Sequence, residues 1–231
     1  MLAVILSYHS FFEFLPYQIA NLKKHIHVPF TIYLVDNSLS GSVKYSDPDL
    51  VYLHCNTDGS PSIRHQSAVN LGLSAAWESS DCFLIFDNDM IFLTPFKLPT
   101  KTQYLKQQRG DWIYGWLNLM FFYKDERLKS FDFATCPKTN QRTDSGGSFG
   151  HYLQTGDPCE EILCVVDPDV FPQFTQPYER LCKEYNVNLW YDIFVLNHSI
   201  IFHFRALSNW TKYPEAFQQE KKQLILNSVK A

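Results

Sequence analysis

No Cys-x-x-Cys pair occurs among the six cysteines (Cys55, Cys82, Cys136, Cys159, Cys164 and Cys182), which argues against a structural zinc site. Free, buried thiols are the simpler expectation for a chain of this length. Long hydrophobic runs are also missing: none reaches the ~18 apolar residues of a membrane helix. The short run Ala3–Leu6 has neither a basic flank nor a cleavage site. The expectation is therefore a soluble, cytoplasmic protein with no membrane span and no secretory signal. Positive charge is in deficit, with 20 Lys and Arg against 24 Asp and Glu and a formal net charge of −4. That excludes a nucleic-acid partner held through many phosphate contacts. Internal repeats, low-complexity tracts and a clear interdomain linker are absent. Asn197-His198-Ser199 and Asn209-Trp210-Thr211 fit the N-glycosylation pattern, a triplet that often arises by chance.

What is present points to a folded α/β chain. Apolar residues make up 45% and charged residues 19% of the 231 positions, enough to bury a substantial core. The first half repeats one pattern of apolar run, polar turn and amphipathic stretch. Strands are predicted over 3–6, 30–35, 51–55 and 82–86, with helices over 12–24 and 62–79. Strands alternating with helices predict a mainly parallel sheet, which binds ligands at the carboxyl ends of its strands. Asp36 and Asp87 both fall there. The second half is less regular, with strand expected over 111–123, loop over 135–157, helix over 176–185, strand over 199–204 and a closing helix over 215–230.

The sharpest signal is Phe83-Leu84-Ile85-Phe86-Asp87-Asn88-Asp89. Side chains two apart in an extended chain point the same way, so Asp87 and Asp89 are expected to present paired carboxylates after a buried strand. Such like charges become favourable around a hard cation, Mn²⁺ or Mg²⁺, that shares its shell with phosphate oxygens. A cation there would neutralise a diphosphate as a leaving group.

On these residues the chain resembles a nucleotide-sugar glycosyltransferase of the GT-A fold, in the family-2-like group, over roughly residues 1–210. Val35-Asp36-Asn37-Ser38 is similar to the motif whose Asp faces the nucleoside base. Ala68-Val69-Asn70-Leu71-Gly72 is similar to the following helix, and Phe86-Asp87-Asn88-Asp89 matches the metal motif. His203-Phe204-Arg205-Ala206-Leu207-Ser208 resembles the C-terminal segment, where a His completes the metal or diphosphate site. The compact build is also similar to that of transferases encoded by large algal viruses, a likeness of build and not of residues.

The resemblance implies one GT-A (Rossmann-like) domain over 1–231, with a nucleotide-binding half at 1–95 and a smaller acceptor-side half at 96–231. It implies transfer of a hexose, with glucose as the family's suggestion, from a UDP-sugar to a glycan or glycoprotein hydroxyl. Asp87, Asp89 and His203 would serve the metal. Ser7, Tyr8, Asp36, Asn37, Arg64, His65, Asp87 and Asn88 would line the nucleotide, with Arg64 and His65 aided by a helix N-terminus. The family's usual Glu-Asp pair is missing from Gln176-Pro177-Tyr178-Glu179, so Asp144, Glu179 and Asp192 stand as rival acceptor bases. The Gly146-Gly147 pair in Thr143–Gly147 would let backbone approach a ligand. Trp112, Tyr114 and Trp116 are candidates to stack on a sugar. Two other readings compete: a haloacid-dehalogenase-like phosphatase or phosphotransferase with Asp87 as nucleophile, and a non-catalytic sugar-binding module.

Overall fold

The structure, a computed structural model, describes residues 1–8, 12–38, 45, 47–136, 138–165, 169, 171–188, 191–205 and 213–230. The elements in chain order are β1 (Leu2–Tyr8), α1 (Leu15–His25), β2 (Phe30–Asp36), β3 (Leu50–His54), α2 (Pro61–Ala76), β4 (Cys82–Asp87) and β5 (Met90–Phe92). They continue with β6 (Thr102–Arg109), β7 (Trp112–Tyr123), α3 (Phe149–Leu153), β8 (Cys159–Glu161), β9 (Leu163–Val165), α4 (Pro172–Glu184), β10 (Asp192–Leu196), β11 (Ser199–His203) and α5 (Glu215–Lys230). Two compact units are built from these, each drawing on three stretches of sequence.

The first unit comprises Met1–His9, Val28–Asp87 and Leu98–Ile162. Its seven-stranded sheet has the order β3-β2-β1-β4-β7-β6-β8. It is a mixed α/β, Rossmann-like arrangement in which β3, β2, β1 and β4 run parallel and β7 is the antiparallel member. Every residue of β1 is buried, as expected of a central parallel strand covered on both faces. Helix α2 starts where predicted: Ser60 caps the amide of Ile63 and Pro61 takes the first turn. It packs so closely on the sheet that a Cβ on Gly72 would lie 2.7 Å from Ile5 Cγ2 and 3.1 Å from Val35 Cγ2.

Sequence patterning missed β6, whose Thr102-Gln103-Tyr104-Leu105-Lys106-Gln107-Gln108-Arg109 is largely polar. It forms a hairpin with β7, turning at Gly110 with φ +58°. The stretch expected as loop over 135–157 contains α3, and a residue pair, Thr135 and Arg142, that bridges in antiparallel fashion.

The second unit comprises Ser10–His27, Asn88–Lys97 and Leu163–Ala231. Its four-stranded antiparallel sheet has the order β5-β11-β10-β9, with α4 and α5 packed together. Its core is aromatic: Phe14, Tyr178, Tyr191, Phe202, Phe204 and Phe217 cluster with Ile91, Ile193 and Ile225. Asn197 and His198, both at positive φ, make the two-residue turn between β10 and β11. Asn197 of the first glycosylation triplet donates to the carbonyl of Lys97 from that turn. The second triplet, at 209–211, and Ala206-Leu207-Ser208 of the C-terminal motif lie outside the described residues. Helix α4 begins at Pro172, not at Gln176, so Pro177 sits inside it and Glu179 is in mid-helix. No helix among the described residues is long and apolar enough to cross a membrane.

Candidate functional site

In the first unit, the parallel register brings the ends of four strands to one rim. Ser7 pairs with Val35 on one side and Asp87 on the other, Tyr8 with Asp36, and Asp36 with His54. Asp36 is fully buried, and its carboxylate accepts from the Ser38 amide (2.8 Å) and the Tyr52 hydroxyl (2.9 Å). The carboxylate thus first organises the turn that follows β2. Beyond it, the side-chain amide of Asn37 donates to Ser7 Oγ (3.2 Å), and Arg64 in the first turn of α2 donates to the Asn37 carbonyl (2.5 Å).

This corner is underused by the protein itself. Asn37 Oδ1, Ser38 Oγ and Arg64 Nε are buried and have no hydrogen-bond partner among the described residues. Each such atom costs roughly 1–3 kcal/mol when left unpaired. An acceptor, a hydroxyl and a cationic donor in one buried corner are groups that a polar ligand would satisfy. Ser7, Asp36, Asn37 and Arg64 of the expected nucleotide set are therefore brought together. Tyr8 is fully buried in the same row. His65 lies close by in sequence but turns to the carbonyl of Leu117, at 3.4 Å.

Asp87 closes β4 and is half-buried, with Asn118 of β7 donating to its Oδ2. The expected alternation of Asp87 and Asp89 does not apply, because Asn88 and Asp89 form a turn and are not extended chain. Each carboxylate has its own partners, Asp87 in the first unit and Asp89 in the second. Asn88 is buried within that turn.

In the second unit Asp89 meets His203, the last residue of β11. His203 Nε2 lies 3.0 Å from Asp89 Oδ1, and Nδ1 lies 2.9 Å from Asp192 Oδ2. The guanidinium of Arg205 grips both oxygens of Asp192, at 2.7 Å for the Nη2 contact. Phe194 stacks on the imidazole at 5.5 Å. Burial lowers the His203 pKa, but the charge of Asp89 and the hydrogen bond that Nδ1 donates to Asp192 outweigh it and bring the group to about 9. Burial raises Asp192, yet its bonds to His203 and Arg205 prevail and hold it below the usual carboxylate range.

That placement changes how the candidate bases read. Asp192 is engaged by an imidazole and a guanidinium, a setting that makes a carboxylate a weak base. Glu179 is exposed and accepts from the Tyr191 hydroxyl at 3.0 Å. Asp144 bonds the next amide, Ser145 N, at 2.8 Å, the habit of a turn-forming Asp. Trp112 and Tyr114 are core residues, 5% and 1% exposed, and Trp112 Nε1 donates to the Gly147 carbonyl. Only Trp116 of the three rings is half-buried. The glycine pair serves packing: a Cβ on Gly146 would lie 2.5 Å from the Gly115 carbonyl oxygen, and one on Gly147 1.8 Å from Thr143 Oγ1. These backbones approach their own chain.

Among the described residues no group of three or more His, Cys, Asp or Glu side chains could hold a metal ion. Asp89 and His203 nevertheless suit a shared ion: two ligands about 2.1 Å from one ion at right angles stand about 3 Å apart. Asp192 behind Nδ1 supplies the carboxylate that commonly orients a metal-binding His. Mn²⁺ or Mg²⁺ takes few protein ligands and fills its shell with phosphate oxygens and water. The donor set therefore fits such an ion in company with a diphosphate.

No family model matches the chain, and no curated protein matches it.

Proposed function

We propose that this chain is a metal-dependent glycosyltransferase of GT-A type that transfers a sugar from a UDP-sugar to an acceptor hydroxyl. The observation that carries the reading is the trio of buried polar atoms with no hydrogen-bond partner among the described residues, Asn37 Oδ1, Ser38 Oγ and Arg64 Nε, at the carboxyl rim where β1, β2 and β4 end. A ligand with alternating donors and acceptors, such as a uracil nucleoside, would satisfy them. The rim lies at the strand ends of a parallel sheet, where such folds bind nucleotides.

In this reading Asn37, Ser38 and Arg64 bind the nucleoside, and Asp36 holds the loop that presents the first two. Within the second unit Asp89 and His203 would hold the divalent ion, and Asp192 fixes the His203 ring. When bound, the ion supplies positive charge to a departing diphosphate. Arg64 adds a further cation on the nucleotide side. The acceptor base is not among the well-formed contacts of Asp192, so Asp144 and Glu179 remain the chain's own candidates.

The direct test is thermal unfolding with UDP, GDP and CDP, each with Mn²⁺ or with EDTA. A ligand selective for the folded state raises its stability. UDP with Mn²⁺ should raise the midpoint by several degrees and the other bases by less. If no nucleotide moves the midpoint under either condition, the reading is wrong.

A further inference from the structure

Asn37 is held at every polar atom but one. Its backbone amide donates to the Tyr8 carbonyl (2.7 Å), and its own carbonyl accepts from Arg64 Nη2 (2.5 Å). Its side-chain nitrogen donates to Ser7 Oγ (3.2 Å) and, more weakly, to the Arg64 carbonyl (3.5 Å). All of these residues belong to the first unit. A carbonyl oxygen only accepts, so the side-chain nitrogen and not Oδ1 must face Arg64. Reversing the amide would set two acceptors against each other. Its orientation is thereby fixed, and Oδ1 is left as a buried acceptor with no partner among the described residues.

Arg64 is fixed by the same cross-link. With Nη2 on the Asn37 carbonyl, Nε–H is its buried donor without a partner among the described residues. Ser38, next along the chain, contributes a buried hydroxyl in the same condition. Its backbone amide is bound to Asp36 Oδ1 at 2.8 Å, and Asp36 Oδ2 accepts from the Tyr52 hydroxyl at 2.9 Å. The carboxylate expected to face the base is thus engaged at both oxygens, and the open acceptor belongs to the residue after it.

We infer that Asn37 is the specificity-determining residue of this corner: its Oδ1 accepts the ring N–H of a uracil, while Arg64 Nε–H and the Ser38 hydroxyl donate to the carbonyls on either side. Ser7 is a positioning residue that keeps the Asn37 amide in its accepting orientation. Donor, acceptor, donor complements the uracil edge of O4, N3–H and O2. The cytosine edge has a bare nitrogen in the middle, which would meet Oδ1 acceptor to acceptor. This inference rests on the proposed nucleotide reading and names the group that selects the base within it.

The test is calorimetric binding, with Mn²⁺ present, of UDP and of its N3-methylated analogue, which lacks the central donor. Wild type should bind UDP about tenfold to a hundredfold more tightly than the analogue, the scale of one buried hydrogen bond. In Asn37→Ala that ratio should fall to about one, because the acceptor is gone and the methyl group has room. Ser7→Ala should give an intermediate ratio. A general loosening of the corner would weaken both ligands and leave the ratio at its wild-type value. Equal affinities in wild type, or a wild-type ratio retained in Asn37→Ala, overturn the role of Asn37 and leave the nucleotide reading intact. The wild-type comparison needs no substitution, so equal affinities overturn the role even if Asn37→Ala does not fold. No UDP binding by wild type overturns the nucleotide reading itself.

Discussion

His203 Nδ1 lies 2.9 Å from Asp192 Oδ2 inside a nearly dry core, where His203 and Asp192 are each 2% exposed. The pair is coupled on its other sides to Asp89 and Arg205, so removing one member strands a buried charge. Asp192→Asn should therefore destabilise the fold by about 3–5 kcal/mol, the cost of breaking a buried pair. Urea unfolding at pH 7 measures this; a change below about 1 kcal/mol would show that the cluster does not depend on the charge.

Stability should depend on pH through two opposed groups. The folded pKa of His203, about 9, exceeds the ordinary 6.5, so its contribution is complete below pH 6.5 and is lost as pH rises through 9. That contribution is on the order of 3 kcal/mol. Lys221 works the other way. Burial lowers it to about 7, so above that pH the unfolded chain binds more protons and stability rises toward pH 10.5. Its amine donates to the Arg205 carbonyl and lies 5.3 Å from the centre of the Tyr178 ring. Lys221→Met should unmask the falling His203 profile between pH 6.5 and 9, while His203→Gln should leave a rising one. Denaturant midpoints across that range decide it; the same profile in both variants would refute the assignment.

Metal binding should release protons. At pH 7.5 His203 is protonated on both nitrogens, and a cation can take Nε2 only after that proton leaves. Calorimetry of Mn²⁺ with UDP in two buffers of different ionisation enthalpy should report about one proton released per ion. The release should fade above pH 9 and vanish in His203→Gln. A binding heat that is independent of buffer would place the ion elsewhere.

The glycines can be ranked by the space around them. Gly156 has φ +80° but nothing within 4 Å of a new Cβ, so Gly156→Ala should cost only the backbone strain, about 1 kcal/mol. Gly147→Ala would place its methyl 1.8 Å from Thr143 Oγ1 and 2.7 Å from the Ala134 amide nitrogen. It should cost at least about 2–3 kcal/mol. Thermal midpoints of the two variants should separate clearly, and similar midpoints would contradict the packing role of the 143–147 segment.

Much of the first unit was legible because buried parallel strands are written as continuous apolar runs. Ala3–Leu6, Phe30–Val35 and Cys82–Phe86 announced β1, β2 and β4, and the Asp residues after them marked the rim. Strand β6 was not legible, since its second half is polar and exposed. Asn118 gave no signal, because its contact with Asp87 depends on the register between β4 and β7. Asp192 read as a possible base because a sequence does not show which cations will surround a carboxylate. His203 was singled out by the resemblance of 203–208 to a family segment, while its apolar strand pointed to a core residue, and its partners depended on how β10 pairs with β11. The glycine pair was noticed for the right property, room for close approach, and assigned the wrong neighbour.

Gly72 sets the depth at which α2 rests on β1 and β2, and that depth travels along the helix to its opening turn. A methyl group there would lift the rod as a lever, displacing Arg64 and His65 together though neither touches position 72. Random variants selected only for nucleotide capture should therefore diversify freely on the outward side of the helix and return the same residue at this one inward point. The geometry of the corner formed by Asn37, Ser38 and Arg64 is, in this sense, regulated from more than two helical turns away by the absence of a single carbon.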